Sequence, residues 1–377
     1  MANDVPVARQ AAIVETIDFA FYPRIPEISL ELTNLCNLTC PYCANPALTR
    51  PKGTIEWGLL EKIVDESARE RLEINWLHGV GEPLLWKRLE DVVRLIRGRD
   101  AGAASFATNG TLLYEDRARS LLDAGLSRIY ISIDTLDPEV YKATRGGNLR
   151  KVVDNIKALI RLAPPDFTIR IALMDHRDYR LTERERERFK ETFGDRPNVI
   201  LADVMNALMP SAPSDYRVET GGRVNGCFAP ISYLFVNKDG IACLCCADQD
   251  SLHPLGDINQ RTIRDIWFDP HNQTTFRNIA LGAHACPAIC TERCILNKPK
   301  TGPNLGTMVG YTLSFETGTA LLIELMDRNE IAAASELARA LNSRDPKDQV
   351  VGRLTAGLLS LSAPATPQPH IPGASVL

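Results

Sequence analysis

The sequence predicts an α/β fold in which parallel strands alternate with helices, followed by a small cysteine-rich domain. Three observations predict it. From about residue 28 to about residue 204, short β-branched runs alternate with longer runs of helical apolar spacing, six times over. From 205 to 226 the chain turns rich in Pro, Ser and Gly ("MNALMPSAPSDYRVETGGRVNG"), the composition of a bridge between domains. The ten cysteines are bunched, three between 36 and 43 and seven between 227 and 294, with none between the two groups.

Taken in order, "EISLELT" (27–33) reads as the first strand and "GLLEKIVDESARERL" (58–72) as the first helix. "EINWLH" (73–78) and "WKRLEDVVRLIRG" (86–98) form the second unit, "AASFAT" (103–108) and "YEDRARSLLDAG" (114–125) the third. "RIYISID" (128–134) with "NLRKVVDNIKALIRLA" (148–163), and "TIRIALM" (168–174) with "TERERERFKETF" (182–193), continue the alternation, and "NVILADV" (198–204) closes it. Strands joined by crossover helices give a parallel sheet, here a partial (βα)6, TIM-like barrel over 25–204 after a lead-in at 1–24. Chemistry in such folds sits at the C-terminal ends of strands. The alternating signs of "RLTERERERFKE" (180–191) mark a solvated helix face rather than a basic patch.

After the bridge, 227–298 forms the cysteine-rich module, with "YLFVNKDGIACLCC" as a hairpin turning at Asp239-Gly240. Residues 299–361 read as a helical extension. Within it, 319–346 looks like a helix pair that cannot bury its own apolar face alone. The end, 362–377, is expected to be disordered.

Composition narrows the classes of function. An apolar fraction of 45% with 24% charged residues is that of an ordinary globular protein. A net charge of −4 gives no footprint for nucleic acid or an anionic membrane. The N-terminal segment carries acids and lacks the apolar core of a secretory signal, and no stretch approaches the ~18 apolar residues of a membrane span. Two metal sites in a reducing cytoplasm fit the cysteine distribution better than five disulfides.

"CNLTCPYC" (36–43) places three thiols at the end of the first strand with spacing Cys-x₃-Cys-x₂-Cys, one short of a tetrahedral set. A zinc knuckle with a borrowed ligand, or three buried thiols, would account for it. So would a [4Fe–4S] cubane that leaves one iron without a protein ligand, open to a substrate or cosubstrate.

This loop resembles the signature of the radical S-adenosylmethionine (SAM) enzymes, and further matches fall in order. "GVGEP" (79–83) is similar to that family's Gly-Gly-Glu-Pro segment, with Val80 in place of a glycine, and "ATNGTLL" (107–113) and "ISID" (131–134) also match. The resemblance implies that Cys36, Cys40 and Cys43 hold the cluster and that SAM chelates the open iron. It places Gly81 and Glu82 along the methionyl end, Asn109 and Ser132 at the ribose or carboxylate, and Tyr42 beside the adenine. It further implies reductive cleavage to a 5′-deoxyadenosyl radical that takes hydrogen from an unactivated carbon, with a reductant such as flavodoxin or ferredoxin. Each of these residues also has a local reading: a tight turn at Gly81, a helix N-terminal charge at Glu82, a barrel-lining hydroxyl at Ser132.

The second group resembles the SPASM/twitch extension of these enzymes, which binds auxiliary clusters. Cys227, Gly240 and Cys245 satisfy its opening pattern, while the closing pattern here is only Cys286-x₃-Cys290-x₃-Cys294. The resemblance therefore implies one auxiliary [4Fe–4S] cluster on Cys227, Cys245, Cys290 and Cys294, with Cys286 able to replace either of the last two. A structural zinc site is the alternative. Cys243 and Cys246 are left over, as buried thiols or, for Cys246, as a catalytic hydrogen donor.

Relatives in the family divide between peptide maturases and enzymes acting on small polar natural products. The barrel begins within about 30 residues of the start, without room for a leader-binding domain, and the one-cluster layout resembles aminoglycoside enzymes. The expected substrate is therefore a small polar molecule of aminosugar or cyclitol type, oxidised with the auxiliary cluster as electron acceptor. Peptide modification and epimerisation are the alternatives, and a non-catalytic iron–sulfur electron carrier is a remote third.

Overall fold

A computed structural model describes residues 25–281 except 26, 175–182, 195, 205–229 and 231–232, together with 287, 289 and 290. The expected lead-in (1–24), bridge (205–226), helical extension (299–361) and tail (362–377) lie outside the described residues, as do Cys227, Cys286 and Cys294.

Strands β1 (Ile28–Leu30), β2 (Ile74–Trp76), β3 (Ser105–Thr108), β4 (Arg128–Asp134), β5 (Thr168–Met174) and β6 (Val199–Val204) follow the expected order. Between them run helices α1 (Trp57–Glu70), α2 (Leu89–Gly98), α3 (Glu115–Asp123), α4 (Pro138–Thr144), α5 (Leu149–Leu162) and α6 (Glu183–Phe193). Helix α4 was not expected, because seven residues are too few to show a helical period. It starts where Asp137 caps it, accepting from the backbone N–H groups of Glu139 and Val140 at 2.9 and 3.1 Å, with Pro138 at the first helical position.

The six strands pair in parallel in the order β6-β5-β4-β3-β2-β1. Among the described residues the sheet keeps two edges, at β6 and β9, as an open, partial barrel does. On the far side of β1 lies β7 (Leu234–Val236), also parallel, and then β8 (Ile241–Cys243) and β9 (Pro254–Asp257), antiparallel. The expected hairpin is β7–β8, but the sheet runs through both expected domains without a break. Leu234, Phe235 and Val236 are all buried, as a parallel strand between covered faces requires.

The same continuity appears in the helices. Glu66 of α1 is buried and accepts from the N–H of Ile263 at 2.5 Å, at the start of α7 (Ile263–Trp267), and Lys62 donates to the Ile258 carbonyl. The last described helix, α8 (Pro270–Leu281), packs Phe276 against Trp267 with ring centroids 5.1 Å apart.

The two faces of the sheet differ in character. On β4, Ile129, Ile131 and Ile133 are fully buried, each contributing roughly 2 kcal/mol of burial, while Arg128, Tyr130 and Ser132 between them are half-buried. The isoleucine face is the helix face, since Ile131 and Val152 of α5 meet at Gly110. The opposite face carries a polar and aromatic row. Tyr130 stands 4.5 Å from the ring of Trp76, and the guanidinium carbon of Arg170, its partner on β5, lies 5.4 Å from the Tyr130 centroid. Among the described residues, no helix is long and apolar enough to cross a membrane.

Candidate functional site

The thiol loop leaves the C-terminal end of β1 and is held there by short polar side chains. Asn45 donates to the carbonyls of Asn34 and Val80 at 2.8 and 2.7 Å, tying the ends of β1 and β2 together. Asn34 in turn bonds the Pro51 carbonyl and the Gly53 N–H. Cys43 closes a turn onto the Cys40 carbonyl at 3.0 Å, and the Asn45 N–H points at the Cys43 sulfur at 3.4 Å. Cys40 is buried, Cys36 and Cys43 are half-buried, and all three are free thiols.

The loop after β2 lies directly on that after β1. A Cβ on Gly81 would land on the carbonyl oxygen of Thr33, so only glycine lets the two backbones approach this closely. Glu82 follows, and its buried carboxylate accepts three hydrogen bonds. One oxygen accepts from the Leu84 N–H (3.0 Å) and the Thr108 hydroxyl (2.7 Å), the other from the Asn109 N–H (2.7 Å). It thus caps the 3₁₀ turn Pro83–Leu85 and clamps the end of β3 to the end of β2.

From β3, Asn109 reaches back to the thiol loop. Its amide donates to Asn37 at 2.9 Å, and its carbonyl oxygen accepts from the N–H and hydroxyl of Thr111 at 3.0 and 2.6 Å. Asn37 closes the ring by donating to Thr111 at 2.8 Å. Ser132 lies half-buried on β4, on the face that carries Tyr130.

Tyr42 is buried and donates its hydroxyl to Asp134 at the end of β4, at 2.7 Å. Asp134 also receives Arg145, from the C-terminal cap of α4, through two bonds of 2.8 and 2.7 Å. Burial pushes all three thiols up, Cys43 to about 11, and the charge of Arg145 draws each of them back down.

Of the site residues expected on strands one to four, Cys36, Cys40, Cys43, Tyr42, Gly81, Glu82 and Asn109 lie on one bonded cluster of loops, while Ser132 lies half-buried along β4 itself. Asn37, Thr111 and Arg145 belong to that cluster and were not singled out from sequence. Asn37 could have been suspected because it sits inside the Cys-x₃-Cys interval. Arg145 carries no such mark.

In the second group, Cys243 is buried, bonded to the Ile241 carbonyl and 3.1 Å from the Ser251 hydroxyl. Cys245 is half-buried, Cys290 is buried, and Cys246 is exposed with its sulfur 3.0 Å from the Tyr233 hydroxyl.

Two family models match. That of the radical SAM superfamily covers residues 30–184, and that of the SPASM iron–sulfur cluster-binding domain covers 227–295. The chain carries a radical SAM domain and, C-terminal to it, a SPASM domain. A probable GTP 3′,8-cyclase of Methanococcus maripaludis (strain C7) is 35% identical over 157 residues, 40% of this chain and 51% of that protein. The chain spans about half the length of the curated relatives it matches. Among solved structures, BtrN in complex with AdoMet and 2-DOIA aligns with a TM-score of 0.51 at 18% identity, over 74% of this chain and 97% of that one. SuiB of Streptococcus suis bound to its precursor peptide SuiA aligns with a TM-score of 0.52 at 12% identity, over 67% and 66%. These two show a shared fold.

A radical SAM domain implies a [4Fe–4S] cluster and SAM, and a SPASM domain implies auxiliary iron–sulfur clusters. The residues present fit the first group. Three soft thiols stand on one loop, and the buried Tyr141 hydroxyl, which like Leu38 of that loop lies against Gly147, has no partner among the described residues. No three described His, Cys, Asp or Glu side chains converge as a single-ion site. A cubane asks for something different, since each thiolate takes a separate iron.

Proposed function

We propose that Cys36, Cys40 and Cys43 hold a [4Fe–4S] cluster with one open iron, and that the protein takes hydrogen from a carbon of a small polar substrate, oxidising it. The observation that carries this reading is the loop itself, three free thiols at the end of β1 roofed by the loops after β2 and β3. With the cluster reduced and SAM bound, the pair supplies a carbon-centred radical that abstracts hydrogen.

The chain's own residues do the rest by position. Glu82 spends its carboxylate on Thr108 and Asn109, and so fixes the ribbon that faces the cosubstrate. Tyr42 is committed to Asp134, which leaves its ring, not its hydroxyl, to flank an adenine. Tyr130, Ser132 and Arg170 offer a polar, aromatic wall on the open face of the sheet, suited to a small hydroxylated or charged molecule. The likeness to a structure holding AdoMet and 2-DOIA supports that substrate class. Cys245 and Cys290, with Cys227 and Cys294 outside the described residues, are the proposed holders of the auxiliary cluster.

One observation favours a second reading, epimerisation. Cys246 is exposed and its sulfur accepts from Tyr233, an arrangement that holds an S–H ready to give hydrogen back.

The test is cosubstrate cleavage. With a strong reductant, anaerobically reconstituted protein should convert SAM to 5′-deoxyadenosine and methionine, and the Cys36→Ala/Cys40→Ala/Cys43→Ala variant should not. Stoichiometric zinc with no iron–sulfur absorption in the wild type would end the reading.

A further inference from the structure

Helix α4 ends by delivering a guanidinium into the thiol loop's surroundings. Arg145 is 7% exposed and Asp134 not at all, so their two-bond pair is out of water. The third member, Tyr42, lies between Cys40 and Cys43 in the chain, its ring centroid 5.8 Å from the guanidinium carbon. Through the Tyr42–Asp134 bond, the pair is fastened to the loop that carries the cluster's proposed ligands.

A buried ion pair contributes little net stability, because the loss of hydration offsets the attraction. Its effect on a nearby charge is larger, since the dielectric there is low. Both ends of this pair stand beside the thiol loop: Asp134 is bonded to the Tyr42 hydroxyl, and the Arg145 guanidinium carbon is 5.8 Å from the Tyr42 ring centroid.

We infer that Arg145 and Asp134 set the reduction potential of the cluster held by Cys36, Cys40 and Cys43, with Tyr42 fixing the pair against the loop. The inference rests on the cluster assignment proposed above. Reduction adds one electron, delivered by an external one-electron donor, and breaks no bond. A buried positive charge beside the cluster favours the reduced form and makes it easier to reach, and a buried negative charge does the reverse. Arg145 is thus a positioning residue that acts through the cluster.

The experiment is an EPR-monitored redox titration with dithionite on reconstituted full-length protein, alongside iron content. Arg145→Gln should shift the potential to more negative values and Asp134→Asn to more positive values. Arg145→Lys, which keeps the charge, should stay near the wild type. A merely structural pair would move Arg145→Gln and Asp134→Asn in the same direction or leave both unchanged, and either result overturns the inference. Should glutamine at 145 cost the cluster, Asp134→Asn decides alone: a positive shift sustains the inference and no shift overturns it. A wild type that holds no cluster would sink the assignment beneath it, whereas equal potentials in loaded proteins sink only this step.

Discussion

Glu31 Oε1 lies 2.6 Å from Arg50 Nη2, with the carboxylate wholly shut off from water. Glu31 also accepts from the N–H of Lys238 at 3.2 Å and faces the N–H of Val80 at 3.5 Å. A Cβ on Gly79 would collide with it. One carboxylate therefore joins three segments: the chain leaving the thiol loop, the loop after β2, and the β7–β8 turn of the SPASM domain. Arg50 extends the joint by donating to the Gln249 carbonyl.

The first prediction is that this joint fails asymmetrically. Arg50→Met leaves Glu31 buried without its cation and should lower unfolding stability by about 3 to 5 kcal/mol. Replacing both partners, with Glu31→Gln added, should recover part of that loss. Denaturant unfolding of the two single variants and the double variant measures the coupling. Additive losses would show that the pair does not act as a unit.

The second prediction concerns Gly81. Gly81→Ala drives a Cβ into the Thr33 carbonyl, and backbone there cannot step aside without moving the thiol loop. The cost should be about 1 to 3 kcal/mol or more, with reconstituted iron falling below wild type. Gly58→Ala, on the open surface of α1, is the control and should be neutral or slightly stabilising. Equal iron content in both variants would show that the close approach is dispensable.

These two cases show what was legible in the sequence. The alternation of periods located β1 to β6 and five of the six helices among them, because each carries its own signal. The spacing of the thiols and the motif at each strand end marked the loops that meet. Partners set by tertiary approach were not legible: Arg145 faces Asp134 only because α4, too short for a period, turns back toward β4. The parallel pairing of β7 with β1 was hidden for a similar reason. A three-residue apolar strand reads the same in an isolated hairpin as inside a nine-stranded sheet. The motif marked Glu82, but its bonds to Leu84, Thr108 and Asn109, which clamp the end of β3 to the loop after β2, were likewise set by tertiary approach.

A third prediction follows from His78, which stands just past β2 with its Nδ1 buried and unpartnered among the described residues. Burial lowers its pKa to about 4. The folded chain therefore refuses a proton that the unfolded chain accepts near pH 6.5. This contribution is whole above pH 6.5 and is lost as pH falls towards about 4. Between pH 7 and 5 the loss should be about 2 kcal/mol. Urea unfolding at the two pH values should show that slope in the wild type and a shallower one in His78→Gln. Equal slopes would place the titration elsewhere.

The last prediction separates oxidation from epimerisation. Of the two leftover thiols, Cys243 is sealed, bonded to a carbonyl and beside Ser251, with its pKa pushed by burial to about 12. Cys246 is the one exposed to solvent, and Tyr233, whose phenol burial keeps protonated, donates to its sulfur. If hydrogen is returned to the substrate, Cys246 is the donor this geometry favours, and its S–H exchanges with solvent. Turnover in deuterated water then distinguishes the outcomes by product mass. Oxidation removes two hydrogens from a carbinol, consumes one SAM per product and incorporates no solvent deuterium at the reacting carbon. Epimerisation keeps the mass apart from one deuterium at that carbon. The expected result is oxidation, with Cys246→Ala and Tyr233→Phe retaining product formation. A product that keeps every hydrogen, carries one solvent deuterium and disappears in Cys246→Ala would instead make Cys246 the donor and the protein an epimerase.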